Sequence, residues 1–344
     1  MAKLMQSLFV YSIALFYGLL VSLRLLWEII RNFGIPPGAK RRETPPSCLL
    51  DPDLGEHNFL RTASNLRIHY VAKGDPSKPL MLCLHGFPEF WYSWRYQLKA
   101  FSDDYRVVAM DMRGYAESDH PTGRDQYKLS YLVNDVKEMV TALGYSSCVL
   151  LCHDWGGVIG WSVAHIYPDL VDKLIVCNCP HPKCFQKCLQ TSKEQFRSSW
   201  YLFFFQLPYL PEFIVEMDDY KMLNKAFEKV KNFTEEDVEA YKYALSQSGF
   251  TGPINYYRNV MPSDLPKGYT RTKIKAPTLV VWGTGDVALL KETLAGTDEY
   301  VADLTIKYVD GASHWVQMEE YDQVNKHIRD FLNAQPRQTL KKPD

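Results

Sequence analysis

Hydrophobic and polar positions along the chain fall into three regimes. Residues 4–23 carry no formal charge and are mostly large and apolar. At a rise of about 1.5 Å per residue, such a run makes a helix long enough to cross a hydrocarbon core of about 30 Å. Between residues 32 and 56 proline, glycine and charge take over, as in Pro36-Pro37-Gly38 and Pro45-Pro46, and the segment reads as a linker. From about His57 onward, short apolar runs alternate with helical stretches. The runs at 66–71, 80–84, 106–110, 148–152, 174–177, 278–282 and 304–309 predict strands. Strands separated by helices predict a mostly parallel sheet covered on both faces. Residues 183–269 break this rhythm, being helical and aromatic, and read as a helical lid inserted between two core strands. The expected division is an N-terminal membrane anchor (1–31), a linker (32–56), an α/β core in two parts (57–182 and 270–334) around the lid, and a tail (335–344).

The N-terminal run has neither the short apolar region nor the small-x-small site of a cleaved signal peptide, so an uncleaved single-pass anchor is expected. Arg24, Arg31, Lys40, Arg41 and Arg42 follow the run, against Lys3 and the amino terminus before it. That bias places the body in the cytosol. Lys341-Lys342-Pro343-Asp344 resembles an endoplasmic-reticulum retrieval signal read from the same side. The sequon Asn232-Phe233-Thr234 matters only for the opposite orientation.

Composition narrows the function. With 39 basic against 40 acidic residues there is no basic excess for nucleic acid, and a small uncharged ligand fits better. Cys83, Cys148, Cys152, Cys177 and Cys179 sit in or beside apolar strand-like runs and read as buried thiols. Cys177, Cys179, His181, Cys184 and Cys188 lack the paired spacing of known zinc modules, so no metal is assigned to them.

The residues that carry chemistry begin at Val149-Leu150-Leu151-Cys152-His153-Asp154-Trp155-Gly156-Gly157. An apolar strand ends in a small-x-Asp-x-small turn and passes into a helix, the geometry of a nucleophile elbow with aspartate as the nucleophile. Asp154 alone reads equally well as a helix cap. Its company decides between the two. Asp286 lies just past the strand at 278–282, and His314 just past the next one, giving the chain order nucleophile, acid, histidine. Asp286 then orients the imidazole of His314, which serves as base. Leu84-His85-Gly86-Phe87-Pro88 follows the strand at 80–84, so the backbone N–H groups of Phe87 and Trp155 are expected to form the oxyanion hole.

His85-Gly86-Phe87-Pro88-Glu89, Asp111-Met112-Arg113-Gly114-Tyr115, His153-Asp154-Trp155-Gly156-Gly157 and Pro180-His181-Pro182 resemble the motifs of the epoxide hydrolases with an α/β-hydrolase fold, over about residues 57–332. The N-terminal anchor resembles that of their membrane-bound branch. The resemblance implies two lid tyrosines that donate to the epoxide oxygen: Tyr201, in Trp200-Tyr201-Leu202-Phe203-Phe204-Phe205-Gln206, and Tyr257, in Asn255-Tyr256-Tyr257-Arg258-Asn259. One departure is Cys152, where the family usually has glycine, with a Cβ expected to strain the turn.

This chemistry calls for no metal or organic cofactor. Trp91, Trp155 and Trp200 are expected to line an apolar substrate pocket, and the anchor favours lipophilic epoxides such as those of unsaturated fatty acids, with membrane lipid as the other partner. Two rivals remain. A dehalogenase shares the aspartate nucleophile but wants indole or amide donors for halide, and a catalytically silent binding protein of this fold usually lacks a triad member. Oligomeric state is not readable.

Overall fold

The computed structural model describes residues 2–228, 230–259 and 272–334. Eight strands form one sheet in the order β1-β2-β4-β3-β5-β6-β7-β8: β1 Glu56–Arg61, β2 Arg67–Lys73, β3 Leu80–Leu84, β4 Arg106–Met110, β5 Cys148–His153, β6 Val171–Cys177, β7 Thr278–Gly283 and β8 Leu304–Val309. β2 runs antiparallel to β1 and β4, and all pairs from β4 to β8 are parallel. β3, β5 and β7 are buried at every position, which is why they read as unbroken apolar runs rather than alternating ones. β1 was not expected as a separate strand. It is an edge strand with four exposed or charged positions, Glu56, His57, Phe59 and Arg61 among them, so the apolar pattern that marks the other strands is missing.

Helices in chain order are α1 Ala2–Arg31, α2 Arg95–Phe101, α3 Leu129–Ala142, α4 Trp155–Ile166, α5 Pro182–Thr191, α6 Lys193–Ser198, α7 Trp200–Phe204, α8 Leu210–Phe227, α9 Glu235–Ser248, α10 Thr251–Arg258, α11 Val316–Glu319 and α12 Tyr321–Asn333. The sheet is covered by α3 and α4 as one group and by α2, α11 and α12 as another. Helices α5 to α10 lie between β6 and β7, as the aromatic insertion predicts, and residues 260–271 at its end lie outside the described residues. So does the C-terminal Lys341-Lys342-Pro343-Asp344.

Buried polar groups brace the insertion internally and tie it to the core. Arg258 donates to the carbonyls of Phe205 (3.1 Å) and Leu207 (2.5 Å) and, through both Nη atoms, to Glu212 (2.7 and 3.0 Å). The Tyr256 hydroxyl donates to the Arg113 carbonyl (2.8 Å), and the Arg113 guanidinium forms a fork with Asp135 at 2.7 and 2.6 Å, both side chains buried.

The proline-rich segment after α1 is not slack. Arg42 forks onto Asp219 at 2.9 and 2.8 Å, at the point where Met217, Asp218, Asp219 and Tyr220 interrupt the helical geometry of α8, and Ser47 and Cys48 bond Glu236 of α9. α1 itself is long and apolar enough to cross a membrane. One stripe of it docks on the insertion: Val10 and Ala14 are buried, the Tyr17 ring meets Trp200 at 6.0 Å, and at Gly18 an added Cβ would stand 2.5 Å from Leu207. Leu15, Phe16, Leu19 and Leu23 on the remaining faces are exposed.

Asp135→Ala leaves the Arg113 guanidinium buried without its carboxylate and is expected to destabilise the protein by about 3–5 kcal/mol. Replacing both partners, Arg113→Met with Asp135→Leu, recovers most of that loss; thermal unfolding of the single and double variants reads the difference.

Candidate active site

β5 delivers Asp154 to the end of the sheet, and α4 begins at the next residue. Asp154 has φ 47° and ψ −116°, a conformation that L-residues avoid. The neighbouring glycines make the turn possible: a Cβ on Gly156 would lie 2.1 Å from the Leu84 carbonyl oxygen, and one on Gly86 would lie 2.5 Å from the Asp154 Cβ. The strain expected at Cys152 is absent. That residue pairs as ordinary strand with Leu84 and Val176, and its sulfur fills the space above Gly160, where a Cβ would meet Sγ at 2.5 Å.

The groups expected around Asp154 converge on it. The Phe87 N–H donates to Asp154 Oδ1 at 2.8 Å, and His314 Nε2 stands 3.6 Å from Oδ2. Among the described residues the Trp155 N–H makes no hydrogen bond to the carboxylate, although Trp155 is the first residue of α4. Asp286 Oδ2 accepts from His314 Nδ1 at 2.6 Å, while its Oδ1 accepts from the N–H groups of Ala288 (2.8 Å) and Leu289 (2.9 Å). A cavity of about 1430 Å³ is lined by Asp154, Trp155, Tyr201 and Tyr257 together with Gln6, Phe9 and Val10 of α1. The two tyrosine rings are 5.9 Å apart and nearly perpendicular, and Tyr257 is packed edge-on against Trp155 and Phe87.

Two of the expected pocket residues stand elsewhere. Trp91 packs against His57 and lines a separate cavity of about 220 Å³ on the side of β1 and β2, because its backbone N–H is held by Asp111 at 2.8 Å. Trp200 is 40% exposed and faces Tyr17 of α1, since the helical turn from Tyr201 points it away from the cavity that Tyr201 enters. Neither placement supports contact with substrate.

Further polar residues that no sequence pattern singles out support these groups. His153 faces an acceptor at each ring nitrogen, Nδ1 at Glu89 Oε2 (2.6 Å) and Nε2 at the His314 carbonyl (2.8 Å). Glu89 also accepts from the Gly86 N–H (2.7 Å) and from Gln317 (2.8 Å), and Asn178 donates to Asp286 Oδ2 (2.8 Å). Glu89 and His153 stand within the quoted motifs, but nothing in their spacing says that they meet; Asn178 and Gln317 carry no sequence signal.

Burial opposes every charge here, and the partners overcome it. For His314, desolvation pulls the imidazole down, but the carboxylates of Asp286 and Asp154 outweigh it and hold the pKa well above the usual 6.5. Burial pushes the Asp154 carboxyl up, yet the bond and charge of His314, with the Phe87 N–H, bring it below the usual range. Asp286 is lowered against its own burial by His314, Leu289 N–H and Asn178. The phenols of Tyr201 and Tyr257 are raised by burial and by the Asp154 charge, so both remain neutral O–H donors. All three shifts favour the ion-paired form, an imidazolium between two carboxylates.

A histidine with a raised folded pKa stabilises the protein fully below its unfolded value of about 6.5, and that contribution is lost as pH climbs through the folded value. The His314 imidazole, followed by NMR, is expected to titrate well above the usual 6.5, and Asp154→Asn should move its titration down. A midpoint near 6.5 in the unaltered protein would contradict this.

The α/β hydrolase fold family matches residues 79–321. The chain is 45% identical to epoxide hydrolase 4 from Homo sapiens, across 97% of this chain and 95% of that protein, and 42% identical to epoxide hydrolase 1 from Caenorhabditis elegans, across 94% and 78%. Among solved structures, a Bacillus megaterium epoxide hydrolase in complex with an inhibitor is 35% identical, with a TM-score of 0.75 over 80% of this chain and 100% of that one. With its parallel sheet, its aspartate at the strand-to-helix elbow and relatives of this closeness over nearly its full length, the chain belongs to the epoxide hydrolases of the α/β hydrolase fold.

Proposed function

We propose that the protein hydrolyses lipophilic epoxides to vicinal diols through an ester on Asp154. The observation that carries this reading is the carboxylate of Asp154 opening into one cavity with the phenols of Tyr201 and Tyr257, with the Phe87 N–H at 2.8 Å and His314 Nε2 at 3.6 Å. Asp154 attacks one ring carbon, the C–O bond breaks, and a tyrosine hydroxyl gives its proton to the departing oxygen. The phenolate then recovers a proton from the His314 imidazolium, leaving both groups neutral.

Ester formation removes one of the two carboxylate charges that favour the imidazolium, so the neutral imidazole is available as a base at the step that needs one. It takes a proton from water while Asp286 holds it in place. The hydroxide adds to the ester carbonyl, the developing oxyanion is met by the Phe87 and Trp155 N–H groups, and collapse releases the diol and restores the carboxylate and imidazolium.

The cavity wall supplied by Phe9 and Val10, and the exposed apolar faces of α1, support a lipophilic substrate taken at a membrane, with fatty-acid epoxides as the favoured class. We place α1 as a single-pass anchor in the endoplasmic-reticulum membrane with the body in the cytosol, on the basic flank after residue 23.

A single turnover in oxygen-18 water is expected to place the label in the Asp154 carboxylate and leave the first diol unlabelled; label in that diol would exclude the ester route. Tyr201→Phe with Tyr257→Phe should lower kcat about 10²–10⁴-fold, while each single variant, keeping one donor, loses less.

A further inference from the structure

We propose that His57, His69 and Glu117 bind a divalent transition-metal ion of the zinc type, at the β1–β2 edge of the sheet beside a cavity separate from that of the substrate. His57 on β1 and His69 on β2 share one face of the sheet edge: Phe59 is opposite His69, and His57 lies two residues before Phe59. This brings His57 Nδ1 and His69 Nε2 to 3.0 Å. The Glu117 carboxylate, on the exposed loop after β4, completes a group whose ligand atoms all lie within 4.8 Å of one another.

The outward nitrogens carry the argument. His57 Nε2 faces the Leu49 carbonyl at 2.9 Å, and His69 Nδ1 faces the Asp111 carboxylate at 2.6 Å. Both partners can only accept, so both outward nitrogens carry their ring's proton. The inward pair then holds one positive charge between two lone pairs, either a shared proton or a metal ion. Imidazoles whose far N–H is held by a carboxylate or a backbone carbonyl are the arrangement found around bound metals, because it fixes the tautomer and raises ligand basicity.

With metal–ligand distances of about 2.0–2.2 Å, tetrahedral ligand atoms stand about 3.3 Å apart. The imidazoles need to part by only a few tenths of an ångström, and the exposed Glu117 side chain is free to close in. Two nitrogens and one carboxylate favour zinc over magnesium or calcium. The 220 Å³ cavity, lined by His57, Glu117 and Trp91, leaves room for water at the fourth position.

Such an ion would clamp the turn Ser47–Leu50 to the sheet edge through His57 and Leu49. The same turn is bonded to Glu236 of α9, so the clamp would join the segment leaving α1, the sheet and the insertion.

Full-length protein in detergent, stripped with EDTA, is titrated with Zn²⁺ by calorimetry and with Co²⁺ by visible absorption. Expected are one ion per chain with a Kd below about 10 µM, an intense tetrahedral Co²⁺ spectrum, and a higher Tm with Zn²⁺. His57→Ala should weaken uptake by more than about 10²-fold and Glu117→Gln by about 10-fold, with Asp154→Asn unchanged. If His57→Ala fails to fold, Glu117→Gln, altered at an exposed side chain, reads the same loss. Lack of uptake at about 100 µM would show that a shared proton fills the gap and overturns the site. So would uptake of undiminished affinity in both the His57 and Glu117 variants.

Discussion

Everything at the active site depends on keeping an ionised carboxylate at a backbone position that resists it, in surroundings that would rather it were neutral. The turn at Asp154 exists because glycine occupies positions 86 and 156, where any Cβ would collide with the strand carbonyls or with Asp154 itself. The charge is favoured because an amide and the His314 ring, itself held toward its protonated form, face it. Strain and desolvation together oppose the arrangement, and it is the surrounding packed sheet that holds it.

The same economy of position extends outward. His314 is gripped at its ring by Asp286 and at its backbone by His153, and these two lead separately to Asn178 and to Glu89 with Gln317. Each residue satisfies a buried neighbour, so the imidazole has little freedom to turn away from Asp154. A histidine on a loop after β8 thereby acquires the positional definition of a residue in the core.

Sequence patterns revealed the sheet most clearly where burial on both faces had written an apolar run, and the limits of β3 and β4 were readable to the residue; so were those of β8, an edge strand that is largely uncovered. They failed at β1, whose exposed edge leaves no such trace. Asp154, Asp286 and His314 could be found because each follows directly from a strand end, and the lid tyrosines because a family motif surrounds them. Trp91 and Trp200 show the opposite limit: aromatic character says that a side chain will be covered, not by what. Asn178 and Gln317 meet their partners only in three dimensions, across 108 and 228 residues of chain, which no local pattern encodes. Cys152 shows how a departure from a family pattern can be absorbed by a neighbour, here Gly160.

The participation of α1 in the cavity wall changes what the first 31 residues are. Gln6, Phe9 and Val10 border the same space as Asp154, and the stripe through Ala14 and Gly18 seats the helix against the insertion. Cutting this helix away to obtain a freely soluble body would therefore breach one flank of the chamber where the reaction occurs. Selectivity measured on a shortened chain would describe a differently shaped vessel.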